Sequence, residues 1–473
     1  MLERRELLIS MAVVAVVATS GCSPLAADVA AQAPVRGTPG SAGVGDSIFP
    51  GAGNGGYDVA HYALDLTVEP KSRAALSGTS TITAKATQNL SRFNLDLSRL
   101  TVERVEVDGT TAKFSRKGNE LTITPSNPIA KGAKFATVIT YHGTPKVLPG
   151  LIGGSQDGWI KTDDGAFVMG EPLGAMTWHP VNNTVHDPAT YDVAVTVPAG
   201  LTGVSNGRYV GKESADFGRN TFRWSNRTQT IPYAATLAVG KFTLETGKTK
   251  AGVPIVNAVD PRHHASSRKA LEEIPAIIAW GEKLFGPYPV DSAGAIIDHA
   301  PKIGAALETI GRPVYGKTPT STVMAHEYAH QWFGNSVRFS DWSQIWLNEG
   351  FATYAMWMWD EERGRATTQE WFDGVYRVPA EDKFWAPVPG KPATAKELFG
   401  DPVYYRGAMV LHKVRQAVGD KVFSKILKAW TAEHRNRTAV IEQFISLTEK
   451  MSGKPTRKIF DVWLFGKGKP KKP

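Results

Sequence analysis

The chain of 473 residues holds a single cysteine, Cys22. One thiol excludes any internal disulfide, so stability outside a reducing compartment must come from core packing. Long apolar runs are also scarce. Leu7–Ala18 is a run of 12 residues, short of the roughly 20 that a membrane-spanning helix needs. Neither sign of charge dominates: 54 Lys and Arg stand against 45 Asp and Glu, a formal net charge of +9. No helix carries a dense basic stripe, which argues against nucleic acid as a partner. The tail Lys467-Gly468-Lys469-Pro470-Lys471-Lys472-Pro473 reads as solvated. No internal repeat is evident. Hydrophobic residues make up 42%, enough for real cores, and the length suggests two or three domains.

The N-terminus reads as a targeting segment rather than part of the fold. Arg4 and Arg5 precede the Leu7–Ala18 run, as in a secretory signal, and the arginine pair also fits a twin-arginine signal. Thr19-Ser20-Gly21-Cys22 resembles a bacterial lipobox. The expectation is therefore an exported protein, lipid-anchored through Cys22 to the outer face of a bacterial membrane, or secreted if the signal is merely cleaved. Residues 23–56 are rich in Ala, Pro, Gly and Ser and read as a flexible linker. Gly51-Ala52-Gly53-Asn54-Gly55-Gly56 fits the G-x-G-x-x-G spacing. It lacks a preceding strand and a following helix, so it is assigned to the linker.

From Tyr57 onward the hydrophobic period is two. Tyr62, Leu64, Leu66 and Val68 alternate with polar or small residues, and similar runs follow at 79–84, 102–107, 135–141, 191–197 and 221–224. These predict an antiparallel β-sandwich over 57–247. His179 and His186, seven apart on a predicted loop, read as surface histidines. Near residue 264 the period changes to three and four, predicting a helix kinked at Pro275. Residues 248–473 are then mainly helical. The fold class is α+β, multi-domain, sheet-rich first and helix-rich second.

The second half contains His326-Glu327-Tyr328-Ala329-His330, then 18 residues, then Glu349. With about 3.6 residues per turn, histidines four apart share one helix face and can bind one metal ion. Glu349, on a second predicted helix, is the candidate third ligand. Two His and one Glu leave the fourth tetrahedral position of a catalytic Zn2+ open for water. Glu327 is placed as the general base.

These motifs resemble the aminopeptidase N family of zinc metallopeptidases, over roughly residues 57–465. His326 to Asn335, followed by Trp346-Leu347-Asn348-Glu349-Gly350-Phe351-Ala352, carries the resemblance, with the family's spacing. It implies a thermolysin-like zinc catalytic domain. Ala305-Ala306-Leu307-Glu308-Thr309 stands where the family has Gly-Ala-Met-Glu-Asn. By that match Ala305 and Ala306 lie on an edge strand beside the substrate backbone, and Glu308 holds the substrate's free α-amino group. A carboxylate suits that task through charge-assisted hydrogen bonds. Tyr404-Tyr405-Arg406-Gly407 resembles the family's Tyr-x-Lys-Gly, which makes Tyr404 the donor to the developing oxyanion. Removing one such donor typically costs about 10²–10³ in rate. Glu171 sits where the family places a second partner for the substrate amine. Many members carry a further helical domain over the active site. This chain ends near the close of the catalytic domain, so the cleft is expected to be open on that side.

The implied activity is removal of N-terminal residues from peptides by a zinc-activated water. Two rivals remain at this stage. A thermolysin-type zinc endopeptidase would keep the metal without the amine clamp. A surface lipoprotein could bind peptides without cutting them.

Overall fold

The computed structural model describes residues 36–72, 75–149 and 156–471. The signal-like segment 1–22, Cys22, and residues 23–35 of the expected linker lie outside the described residues.

The sheet-rich part is built around one mixed eight-stranded sheet. Its central strands are Tyr57–Val68, Leu76–Ala86, Lys134–Gly143 and Ala189–Pro198. Tyr57–Val68 alternates buried and open positions along its length, as a strand with one face on a core must. The eight-stranded sheet is antiparallel except where Tyr57–Val68 pairs in parallel with Ala189–Pro198. Four- and five-stranded sheets pack beside it and share one apolar core.

A second five-stranded sheet starts the catalytic part. Its order in sequence ranges is 243–248, 254–259, 296–297, 314–315, 306–307, which leaves Ala306–Leu307 at the edge. Strand Thr243–Lys248, most of which lies before residue 248, pairs with Pro254–Val259 and so belongs to this sheet. This sheet has two covered faces. Ala295 and Ile297 face the helical core, while Ile296 and Val314 join the core of the sandwich. Period-two alternation thus welds the two halves through one sheet.

Helices α1 (His264–Glu272) and α2 (Ile274–Phe285) replace the single kinked helix expected there. Pro275 sits in the first turn of α2, where a missing N–H is harmless, so it starts a helix instead of bending one. Further helices are α3 (Ser321–Ala329), α4 (Trp346–Glu362), α5 (Thr368–Tyr376), α6 (Gly407–Val418), α7 (Asp420–Glu433), α8 (Ile441–Ser452) and α9 (Arg457–Trp463).

Three surface assignments need correction. Residues 36–56 form a packed strap, not a free tether. Asp46 accepts backbone N–H bonds from Ile48 and Phe49 at 2.8 Å and from Trp342 at 2.9 Å. Phe49 stands edge-on to Trp342 at 5.7 Å, and Asn54, in the glycine run, donates to Asp96 at 3.1 Å. His179 is fully buried among Trp178, Tyr62 and Tyr191. Burial there pushes its imidazole down to about 3, so it serves as a neutral core ring. In the tail, Lys469 lies 4.3 Å over the Tyr376 ring and donates to the Val378 carbonyl at 2.9 Å.

Asp46→Ala should strand three backbone donors at the strap junction. At roughly 1–3 kcal/mol for a buried unsatisfied donor, the urea midpoint should fall clearly. An unchanged midpoint would mean that the strap does not hold in solution.

Candidate metal and peptide site

Helix α3 is capped by Thr320, whose side chain accepts from the Val323 N–H at 3.2 Å. It carries His326 and Glu327, and His330 follows at its C-cap. Helix α4 brings Glu349 from its first turn. The His326 and His330 Nε2 atoms lie 3.0 Å apart, and Glu349 Oε2 is 3.3 and 3.5 Å from them. Glu349 Oε2 is buried with no hydrogen-bond partner. An orphaned carboxylate oxygen facing two imidazole nitrogens is the donor set of a Zn2+ site, and all three fit an ion at about 2.0–2.2 Å.

The tautomer that His330 would offer a metal is fixed by its surroundings. Its Nδ1 lies 3.2 Å from the Phe333 carbonyl and 2.6 Å from Asn348 Oδ1. A carbonyl can only accept, so Nδ1 carries the hydrogen and Nε2 presents a lone pair to the metal. Gly334 makes room for this contact. A Cβ there would stand 1.9 Å from Asn348 Oδ1, and its φ of +120° is one that L side chains rarely adopt.

Asn348 also reaches the other side of the site. Its Nδ2 donates to Glu308 Oε1 at 3.2 Å and lies 3.3 Å from the Tyr233 hydroxyl. Tyr233 donates to the same Glu308 oxygen at 3.1 Å. The Glu308 carbonyl accepts from Gln331 Nε2 at 3.2 Å and Asn335 Nδ2 at 2.8 Å. Glu308 is thus clamped at both ends, by groups from helix α4, the loop that follows α3, and the sandwich. Asn348, Tyr233, Gln331 and Asn335 had no assigned role in the sequence. Asn348 and Gln331 were signalled only by adjacency to the ligands Glu349 and His330.

Glu171, from the sandwich, is buried beside Glu308 and Glu349, with its Oε1 unpartnered. Burial first, and then the neighbouring carboxylates, hold both Glu171 and Glu327 well above the usual carboxylate range. Burial opposes charge on His330, yet Glu308 and Glu349 outweigh it and push the imidazole up to about 10. Burial would likewise raise Glu349, but His330 and His326 hold it at about 2. The pocket is therefore anionic enough to demand a cation, and a bound metal would take the place of that imidazole proton.

These residues line one cleft of ≈ 500 Å³, with Ala306 on its edge strand, Ala305 just before that strand, and Tyr404 opposite. Tyr404 rides a π-helical turn, Pro402–Arg406, and its ring stacks on His326 at 6.0 Å. The structure thus brings together every residue singled out in the sequence: His326, His330, Glu349, Glu327, Tyr404, Glu308, Glu171, Ala305 and Ala306.

Comparison with known proteins agrees in both halves. The peptidase family M1 domain matches residues 312–463, and the peptidase M1 N-terminal domain matches 59–233. Rat glutamyl aminopeptidase is 25% identical over 68% of this chain and 37% of its own length. The tricorn protease-interacting factor F2 of Thermoplasma acidophilum is 24% identical over 80% of this chain and 50% of its own. The chain thus spans half or less of these curated relatives. A crystal structure of an M1 zinc metallopeptidase from Deinococcus radiodurans superposes with a TM-score of 0.82. It is 29% identical and covers 91% of this chain and 98% of that one.

Asn348→Ala should weaken zinc retention by roughly 10–100-fold, the usual effect of losing a group that orients a metal-bound histidine. Competition with a chromogenic chelator measures this. Unaltered retention would show that the Phe333 carbonyl suffices to orient His330.

Proposed function

This chain belongs to peptidase family M1, and on that premise we propose that it is a zinc-dependent aminopeptidase that releases the N-terminal residue of peptides. The observation that carries the reading is Glu308, clamped beside the three metal ligands with Glu171 against it. An endopeptidase has no use for two carboxylates where the chain must pass. An ammonium terminus needs them. The Deinococcus radiodurans relative has been crystallised with a Tyr-Ser-Ala substrate, and short peptides of that kind, with a free amine, are the substrates we assign here.

Bound zinc supplies Lewis acidity that polarises the scissile carbonyl and acidifies water. The chain's own groups do the rest. Ala305 and Ala306, on the open sheet edge, align the substrate backbone by strand addition. Glu308 and Glu171 hold the ammonium, so the first peptide bond alone reaches the ligands. Glu327 takes a proton from the attacking water and returns it to the leaving amine. Its buried setting keeps its basicity high enough for both transfers. Tyr404 donates to the carbonyl oxygen as negative charge develops there.

The thermolysin-like rival is disfavoured by that clamp. The non-catalytic rival is disfavoured because Glu327 stands in the cleft with a complete ligand set. Export and lipidation at Cys22 belong to the same proposal. They are supported by the basic start, the apolar run and the lipobox-like end, and incorporation of labelled fatty acid, lost in Cys22→Ser, tests them.

Two measurements test the activity. A free tripeptide should lose residues singly from its amino end, while its N-acetylated form should resist. Glu308→Gln should raise KM for the free peptide and narrow that difference, whereas equal cleavage of both forms by the unaltered protein would establish an endopeptidase. Glu327→Gln should abolish turnover with zinc still bound, and chelation should abolish it reversibly. Full activity in either condition would refute the mechanism.

A further inference from the structure

Away from the cleft, three aspartates meet where the sandwich touches the catalytic sheet. Strands Pro254–Val259 and Ile296–Ile297 run parallel, with Val259 opposite Ile297. The residues that follow, Asp260 and Asp298, therefore leave the same end of the sheet side by side. Asp260 donates its N–H to the Ile297 carbonyl at 2.8 Å. Carboxyl ends of neighbouring parallel strands are where such sheets collect ligands. Asp164 arrives from the sandwich, in the turn between strands Gln156–Lys161 and Ala166–Met169. One ligand oxygen from each of the three lies within 4.8 Å of the others.

The three carboxylates are unequally satisfied. Asp260 accepts from the Arg262 N–H, Nε and Nη2 at 2.8, 2.9 and 2.6 Å. Arg262 is shared with the exposed Asp163, 3.0 Å from Nη2. Asp164 accepts from the Lys241 N–H at 3.1 Å and from Thr162 Oγ1 at 3.4 Å. Asp298 is fully buried. Its Oδ1 accepts from the His299 N–H at 2.7 Å, but its Oδ2 is buried with no partner. Of the four carboxylates gathered here, Asp163 and Asp260 hold the Arg262 guanidinium, and the buried Asp298 keeps an unpartnered oxygen. A buried carboxylate oxygen without a partner is costly, and a cation is the partner its neighbours can share.

We propose that Asp164, Asp260 and Asp298 hold a second divalent cation, calcium, which clamps the sandwich to the catalytic sheet. The donors are all oxygen, which suits a hard ion and not zinc. Calcium at about 2.3–2.6 Å spans oxygens up to roughly 5 Å apart and completes its shell with carbonyls and water. Magnesium, held at about 2.0–2.1 Å in a strict octahedron, fits this spread less well. Strand Ala166–Met169 runs from the Asp164 turn to Gly170 and Glu171, so the clamp fixes the strand that delivers Glu171 to the cleft. The site shares no residue with the zinc centre.

The test uses the zinc-loaded full chain, titrated with calcium chloride in a calorimeter and, in parallel, with magnesium chloride. Thermal midpoints are recorded for each. One calcium per chain should bind and raise the midpoint by a few degrees. Asp164→Asn and Asp298→Asn should each remove that rise while retaining peptide hydrolysis in calcium-free buffer. Asp298→Asn without calcium should be at least as stable as the unaltered chain, because it removes a repelled buried charge, and this shows that the variant folds. No heat and no shift at about 10⁻³ M calcium, the weak end of such sites, would overturn the proposal. So would a calcium response that survives both substitutions. An equal response to magnesium would overturn the assignment to calcium.

Discussion

Four carboxylates, Glu171, Glu308, Glu327 and Glu349, close on one cleft, and among the described residues none of them pairs with lysine or arginine. Oxygens of Glu171, Glu308 and Glu349 lie within 4.8 Å of one another. At an effective dielectric of about 20, each ionised pair at that range repels by roughly 3 kcal/mol or more. Such a cluster cannot stay fully charged alone. It can take up protons, or it can take up cations supplied from outside. Two cations are on offer in peptide cleavage, the metal and the substrate's ammonium, and the cluster is divided to suit. Glu349 faces the imidazoles. Glu308 and Glu171 would, on the proposed function, take the amine. Repulsion built in by the fold becomes affinity for what the reaction requires, at some cost to the stability of the empty chain.

The division holds because one amide touches both halves. Asn348 accepts from His330 on the metal side and donates to Glu308 on the amine side. Neither ligand can shift without disturbing the other. On the proposed function, that coupling would set the distance between the anchored terminus and the metal, and with it which bond is cut. It also explains why a glycine sits at 334, since any side chain would displace Asn348.

What the sequence revealed follows from how local each feature is. The histidine pair was legible because a helix turn is a local geometry, and Glu349 because its helix packs beside α3. Glu308, Tyr404 and Glu171 were legible only through resemblance, since nothing in their own neighbourhoods announces a site. Tyr233 was invisible, because its partner Glu308 is 75 positions away in sequence. The strap misled for a related reason. Gly, Pro and Ser over 36–56 set a flexible average, but Asp46, Phe49 and Asn54 find tertiary partners that composition does not show. His179 was misread because a loop position says nothing about the aromatic rings that close over it.

In the proposed reaction, specificity for a free terminus would therefore belong to the joint between the halves and not to either half alone. Glu171 and Tyr233 come from the sandwich, Glu308 from the edge of the catalytic sheet, and the metal ligands from the helices. That joint has to be stiff, and its chemistry shows how. Arg312 is fully buried and, among the described residues, has no acid within ion-pair distance. It donates instead to the carbonyls of Val256 on one side and of Ser205 and Gly207 on the other, and it lies 4.7 Å over Trp224. Asn206 reaches from the sandwich to the Ile310 carbonyl at 2.9 Å, two residues beyond Glu308. Burying a guanidinium on carbonyls alone is expensive, and burial pulls Arg312 down to about 10. A simple hydrophobic seam would have cost less but could slide. Directional bonds to backbone carbonyls on both sides fix the register of the seam, and with it the gap between Glu171 and the zinc ligands on which the proposed single-residue cleavage would depend.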